Sequence, residues 1–287
     1  MTKDRAAAAR RGLARTPAYL RYAPAEAVSR PNPPRHPRRP PASAPPAVAV
    51  GAGPPYDPVV KVAEIFHSVQ GEGSLVGVPS VFVRTSGCPL RCVWCDTPYT
   101  SWEPRGEAAT VDAVLQRVRS FGCRHVVITG GEPLIDPDVP ELCERLSAED
   151  FHITVESAAV VFKPLEIDLA SLSPKLSNST PHQREGGRFA RAHEAGRLRP
   201  DVVQAFIDHC PYQLKFVIDR PGDLDEVQEL LGRLRDVEPE RVLLMPQGRS
   251  AAELAERGRA VVELSKATGF RYCPRLHIDL FGNTPGT

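Results

Sequence analysis

From residue 59 onward the apolar positions alternate between two rhythms, short runs of β-branched and aliphatic residues and longer stretches with helical spacing. The short runs predict strands over residues 59–66, 80–85, 125–129, 151–156, 166–172, 213–218, 241–245 and 272–278. The longer stretches predict helices over 138–147, 200–209, 222–235 and 250–268. A further helix has its whole grammar in the sequence: Thr110 caps it, Val111, Val114, Leu115, Val118 and Phe121 share one face, and Gly122 stops it. Strands that alternate with helices and are apolar along both faces predict an α/β fold with a parallel sheet covered by helices. Six to eight such strands suggest a full or partial barrel, whose chemistry collects in the loops at the strands' C-terminal ends. No internal repeat is evident.

Composition divides the chain. Among residues 1–57 are 12 of the 30 prolines, with Lys3 and nine Arg against Asp4, Glu26 and Asp57, a net +7 inside a chain of overall +1. Such a segment buries too little apolar surface to offset its ordering entropy and is expected to be disordered. The remaining residues 58–287, the expected catalytic domain, carry a mild negative charge, which argues against stable nucleic-acid binding and favours a small-molecule enzyme. No apolar run reaches the length of a membrane span, and the seven cysteines, an odd number with three in one loop, point to a reducing, cytoplasmic setting.

That loop, Cys88-Pro-Leu-Arg-Cys92-Val-Trp-Cys95, is the main chemical signal. Three thiolates so close together are soft ligands for an iron-sulfur cluster or for zinc. A structural zinc tetrahedron needs a fourth ligand, and neither His67 nor His125 fits a knuckle spacing. On a four-iron cubane, three cysteines leave one iron open to a small molecule. One strand later comes Thr129-Gly130-Gly131-Glu132-Pro133, a loop whose paired glycines permit close backbone approach to a ligand.

The CxxxCxxC loop after one strand, with GGEP after the next, resembles the radical S-adenosylmethionine (SAM) superfamily. Within it, Ser68-Val69-Gln70-Gly71-Glu72-Gly73, Phe82-Val-Arg84-Thr-Ser-Gly-Cys88, Trp94-Cys95-Asp96-Thr97, Ser173-Pro174-Lys175 and the late His277 resemble the 7-carboxy-7-deazaguanine synthase family. The resemblance covers about residues 59–287 and implies a partial (β/α) barrel with a mostly parallel sheet. It also implies a 4Fe-4S cluster on Cys88, Cys92 and Cys95, and SAM as catalytic cofactor. SAM would lie along Trp94, Cys95 and Asp96, with its amino end at Gly130, Gly131 and Glu132 and the rest against Ser173, Pro174, Lys175 and Gln247.

The substrate implied is a carboxylated tetrahydropterin, held by Val69, Gln70, Gly71, Glu72, Arg84, Thr129, His277 and the carboxylate of Thr287. A Mg2+ ion would sit on Thr97, whose other reading is a cap of the turn before Pro98. The reaction implied is a ring contraction with loss of ammonia on a route to queuosine and other 7-deazapurines. A homodimer and a one-electron donor such as flavodoxin or ferredoxin belong to the same picture. Two readings of the cysteine loop stay open beside it, a glycyl-radical-enzyme activase and a non-enzymatic zinc module.

Overall fold

Nine strands form one sheet in the computed structural model, which describes residues 57–287. The Pro/Ala/Arg-rich extension falls, but for its last residue, outside the described residues. The strands are β1 (Val59–Val69), β2 (Pro79–Thr85), β3 (Glu107–Thr110), β4 (His125–Gly130), β5 (His152–Ser157), β6 (Leu169–Leu172), β7 (Tyr212–Ile218), β8 (Val242–Pro246) and β9 (Arg271–Tyr272). Their order is β3-β1-β2-β4-β5-β6-β7-β8-β9. From β2 to β9 every neighbour pair is parallel, whereas β1 runs antiparallel to both β2 and β3. Strands β3 and β9 each pair on one side only, so the sheet stays open and the barrel is partial.

The helices are α1 (Pro98–Ser101), α2 (Val111–Arg119), α3 (Val139–Ala148), α4 (Ala190–Gly196), α5 (Pro200–His209), α6 (Asp223–Gly232), α7 (Ala251–Thr268) and α8 (Leu276–Phe281). Thr110 caps α2 as its sequence requires, its Oγ1 accepting from the Ala113 amide at 3.2 Å. Ser250 caps α7 in the same way, and Gly269 ends that helix in the left-handed region at φ 77°.

The pleat of the parallel strands sorts side chains between two faces. Val83, Ile128, Val155, Leu172, Leu214, Phe216 and Leu244 belong to the apolar core beneath the helices. Their sequence neighbours Arg84, Thr129, Glu156, Ser171, Ser173, Lys215, Val217 and Met245 line a cavity of about 220 Å³ on the other side. Truncating a fully buried core residue such as Ile128 to Ala would cost about 2–5 kcal/mol.

Three local expectations change. Of the predicted strand over 272–278 only Tyr272 belongs to β9 and a helix follows, because Pro274 has no amide to give the ladder and the chain turns there. On that helix, α8, Ile278 is buried and Leu280 is exposed. The sequence pattern also gives no sign of β3, an edge strand of Glu-Ala-Ala-Thr, or of α4, whose one fully buried side chain is His193.

Candidate active site

The cysteine loop leaves the C-terminal end of β2 and closes on α1. Cys88, Cys92 and Cys95 all line the cavity, and none is in a disulfide. Backbone bonds shape the loop: Gly87 donates to Thr100 O at 2.8 Å, and Val93 donates to Ser179 O at 2.8 Å. Two indoles add to this, Trp94 Nε1 donating to Asn178 O and Trp102 Nε1 to Cys92 O, both at 3.0 Å. Burial pushes the Cys88 and Cys92 thiols up to about 12, so they ionise only when a metal takes the place of the proton.

The loop after β4 packs directly on the cysteine loop. Gly131 and Glu132 donate their amides to Thr85 O and Gly87 O at 3.3 and 2.9 Å. A Cβ on Gly131 would collide with Gly87 O and come within 2.8 Å of Cys88 Cβ, so only glycine lets the two loops approach this closely. Glu132, expected at the cofactor's amino end, does not line the cavity. Its carboxylate is fully buried and accepts from Ser157 Oγ at 2.9 Å, Ala158 N at 2.8 Å and Leu134 N at 3.3 Å. Burial raises its pKa to about 7 against the pull of these donors.

Elsewhere on the cavity wall the segment Gln70–Glu72 meets β5, β7 and the segment after β9. Gln70 Nε2 donates to Glu156 Oε1 at 3.2 Å, and Thr129 Oγ1 donates to Glu156 Oε2 at 2.9 Å. Lys215 Nζ lies 2.8 Å from Glu72 and 3.6 Å from Glu156. Arg275 donates to Glu72 at 3.0 Å, to Gly248 O at 2.5 Å and to Asp96. Burial alone would raise Glu72, but the charges of Lys215 and Arg275 hold its pKa well below the usual carboxylate range. His277 faces Gly71 so closely that a Cβ there would enter its ring.

Arg84 reaches the cavity from β2. Its Nε donates to Glu64 Oε1 at 2.6 Å, and Tyr99 OH donates to the same oxygen at 2.7 Å. Lys175 Nζ donates to Ser173 Oγ at 2.7 Å and lies 5.9 Å from the centre of the Trp94 ring. Thr97 and Gln247 also line the cavity, as does Thr287. Thr97 is the N-cap residue of α1, yet its side chain makes no cap bond. Of the residues the sequence singled out, Val69, Glu132 and Pro174 are not on the wall.

A family model, "Radical SAM superfamily", matches residues 82–256. The chain is 43% identical over 240 residues to the 7-carboxy-7-deazaguanine synthase of Halobacterium salinarum, covering 80% of this chain and 93% of that one. It is 42% identical to the corresponding synthase of Rhodopirellula baltica over 79% of this chain and 88% of that protein. The crystal structure of QueE from Escherichia coli superposes with a TM-score of 0.58 at 26% identity, over 76% of this chain and 95% of that one. The chain belongs to the 7-carboxy-7-deazaguanine synthase family.

As a member of that family it is a radical SAM enzyme, and the two rival readings of the cysteine loop give way. The family implies a 4Fe-4S cluster and SAM, and the donor set fits: three unpaired thiols on one loop, with a glycine cradle against Cys88. Among the described residues no three His, Cys, Asp or Glu side chains converge on a point that would hold a single metal ion.

The residues that reading the sequence missed in this synthase family member are Glu156, Lys215 and Arg275. Lys215 did leave a signal, a lysine within the otherwise mostly apolar run Tyr-Gln-Leu-Lys-Phe-Val-Ile of a wholly buried strand. A buried lysine is rarely unpaired, so it called for carboxylates facing it. Glu156 and Arg275 have no comparable local signal.

Proposed function

We propose that the chain converts 6-carboxy-5,6,7,8-tetrahydropterin to 7-carboxy-7-deazaguanine with loss of ammonia, in the biosynthesis of queuosine-type 7-deazapurines. The observation that carries this reading is that the three-cysteine loop and the polar, charged side chains of Gln70, Glu72, Arg84, Thr129, Glu156, Lys215 and Arg275 line one cavity. When bound, the cluster and SAM supply a one-electron reduction that yields a hydrogen-abstracting adenosyl radical.

Cys88, Cys92 and Cys95 hold the cluster. Trp94, Cys95, Asp96, Gly130, Gly131, Glu132, Ser173, Pro174, Lys175 and Gln247 form the SAM side, with Glu132 and Pro174 acting from behind the wall through the loops they shape. Gly71 and His277 bound the substrate side, with Val69 behind the wall. Gln70, Glu72, Glu156 and Thr129 offer hydrogen-bonding groups to the amide-like edge of the pterin. Arg84, steadied by Glu64, offers its remaining guanidinium hydrogens to the substrate carboxylate. The Thr97 hydroxyl is a hard oxygen donor suited to Mg2+, and Thr287 stands on the same cavity wall.

Family resemblance supports a homodimer reduced by flavodoxin or ferredoxin in the cytoplasm. Among the described residues no helix is long and apolar enough to cross a membrane.

Anaerobically reconstituted protein, given the carboxytetrahydropterin, SAM and a low-potential reductant, should form 7-carboxy-7-deazaguanine. The Cys92→Ala variant should hold a damaged cluster and form none. Absence of product from a protein that loads its cluster and cleaves SAM would refute the substrate assignment.

A further inference from the structure

Between β6 and α5 the chain makes an excursion over residues 173–199 that contributes no strand to the sheet. This excursion grips the cysteine loop at three residues on either side of Cys92. Val93 N donates to Ser179 O at 2.8 Å, Trp94 Nε1 donates to Asn178 O at 3.0 Å, and Arg91 N donates to His193 Nδ1 at 3.1 Å. The first two acceptors are backbone carbonyls that any sequence would offer. The third is a side chain, 1% exposed, on α4.

Counting donors fixes the state of that side chain. An amide only donates, so Nδ1 carries a lone pair and the ring proton of the neutral imidazole sits on Nε2. Nε2 lies 2.9 Å from Ser179 Oγ, and Ser179 Oγ donates its own proton to Leu176 O at 2.6 Å. The bonds therefore run in one direction, from the Arg91 amide through His193 and Ser179 to the backbone of Leu176. One turn further on, Arg197 donates its amide to His193 O at 2.8 Å and its guanidinium to Lys175 O at 2.9 Å. His193 thus joins the cysteine loop to the end of the Ser173–Lys175 segment.

The destination of the Arg91 amide matters because its predecessor goes elsewhere. Leu90 N points at Cys88 Sγ, 3.4 Å away. Amide hydrogens aimed at the sulfurs of an iron-sulfur cluster stabilise the reduced, more negative state and raise the reduction potential. Of two adjacent amides between Cys88 and Cys92, one is directed to sulfur and the next is withheld by a histidine.

We propose that His193, held by Ser179, is a positioning residue for the cluster-binding loop, and that by accepting the Arg91 amide it keeps the cluster's potential low. A low potential favours electron transfer from cluster to SAM. The inference rests on the three cysteines holding a cluster, as the family assignment requires.

The test compares full-length wild type with His193→Phe, which keeps a ring but no acceptor, and His193→Asn, whose side-chain oxygen replaces Nδ1. Samples are reconstituted anaerobically to equal iron and sulfide content and titrated electrochemically with EPR detection of the reduced cluster. His193→Phe should shift the midpoint upward, and His193→Asn should return it towards wild type. In the cluster-free proteins, hydrogen exchange at the Arg91 amide should lose roughly tenfold of its protection in the Phe variant and keep it in the Asn variant.

A folded His193→Phe protein with unchanged midpoint overturns the proposal. Should that variant fail to accumulate, Ser179→Ala, which removes the partner of Nε2, must shift the midpoint in the same direction, and no shift there overturns it equally. A wild-type chain that loads no cluster overturns the underlying family reading together with the inference.

Discussion

Lys215 Nζ lies 2.8 Å from Glu72 Oε2, joining the centre of β7 to the segment that follows β1. Both groups are largely withdrawn from water, and the second carboxylate, Glu156, stands 3.6 Å from the same ammonium. Removing the cation leaves two partly buried carboxylates without the ammonium between them, and breaking a buried pair costs up to about 3–5 kcal/mol. Lys215→Met should therefore lower the thermal midpoint clearly and weaken pterin binding, as measured by calorimetry and by the KM for the pterin. A variant with wild-type stability would show that Arg275 alone balances Glu72.

Arg84 is oriented by Glu64, which Tyr99 also binds. Lysine retains the charge but has no planar fork with which to hold Glu64 and a substrate carboxylate at once. For Arg84→Lys the expected result is a rise of about 10–100-fold in the KM for the pterin, the equivalent of one charged hydrogen bond, with SAM binding unchanged. Equal loss of SAM binding would move Arg84 out of the substrate side.

The approach of Gly131 to Gly87 O and Cys88 Cβ admits no side chain, and the atoms in the way are backbone or close to it. Gly131→Ala should displace the cysteine loop. Iron content after anaerobic reconstitution is the readout, expected to fall well below the wild-type stoichiometry; full loading would show that the loop can yield.

Glu132 gives a pH signature. Because burial raises its folded-state pKa to about 7, above the ordinary 4.5, the folded protein holds a proton that the unfolded chain has lost. Its favourable contribution is complete below pH 4.5 and disappears as pH rises through 7. Between pH 6 and 8 the thermal midpoint of the wild type should fall relative to that of Glu132→Gln. Parallel curves would mean that Glu132 is ionised throughout.

Thr97 leaves its hydroxyl free of cap duty. If that oxygen holds Mg2+, Thr97→Val should lose most of the stimulation that added Mg2+ gives to turnover while leaving SAM cleavage without substrate intact. Unchanged stimulation would place the ion elsewhere.

The sequence by itself determined the strand-helix alternation, because burial on both faces of a parallel strand leaves a period that needs no partner to be read. Thr110 and Gly122 mark α2 for the same reason: caps and stops are local chemistry. The cysteine loop, GGEP and the Gln70–Glu72 segment were legible as motifs since each is a short run of consecutive residues. Tertiary structure decided what no local run records. Glu72, Asp96, Lys215 and Arg275 come from four separate stretches, and their charges balance only where β7, the cysteine loop and the segment after β9 meet. Glu132 was part of a visible motif, yet only the fold turned its carboxylate inward to Ser157. The turn at Pro274 likewise ended the apparent last strand and gave way to α8, since a short apolar run becomes a strand only where a neighbouring edge can receive its hydrogen bonds.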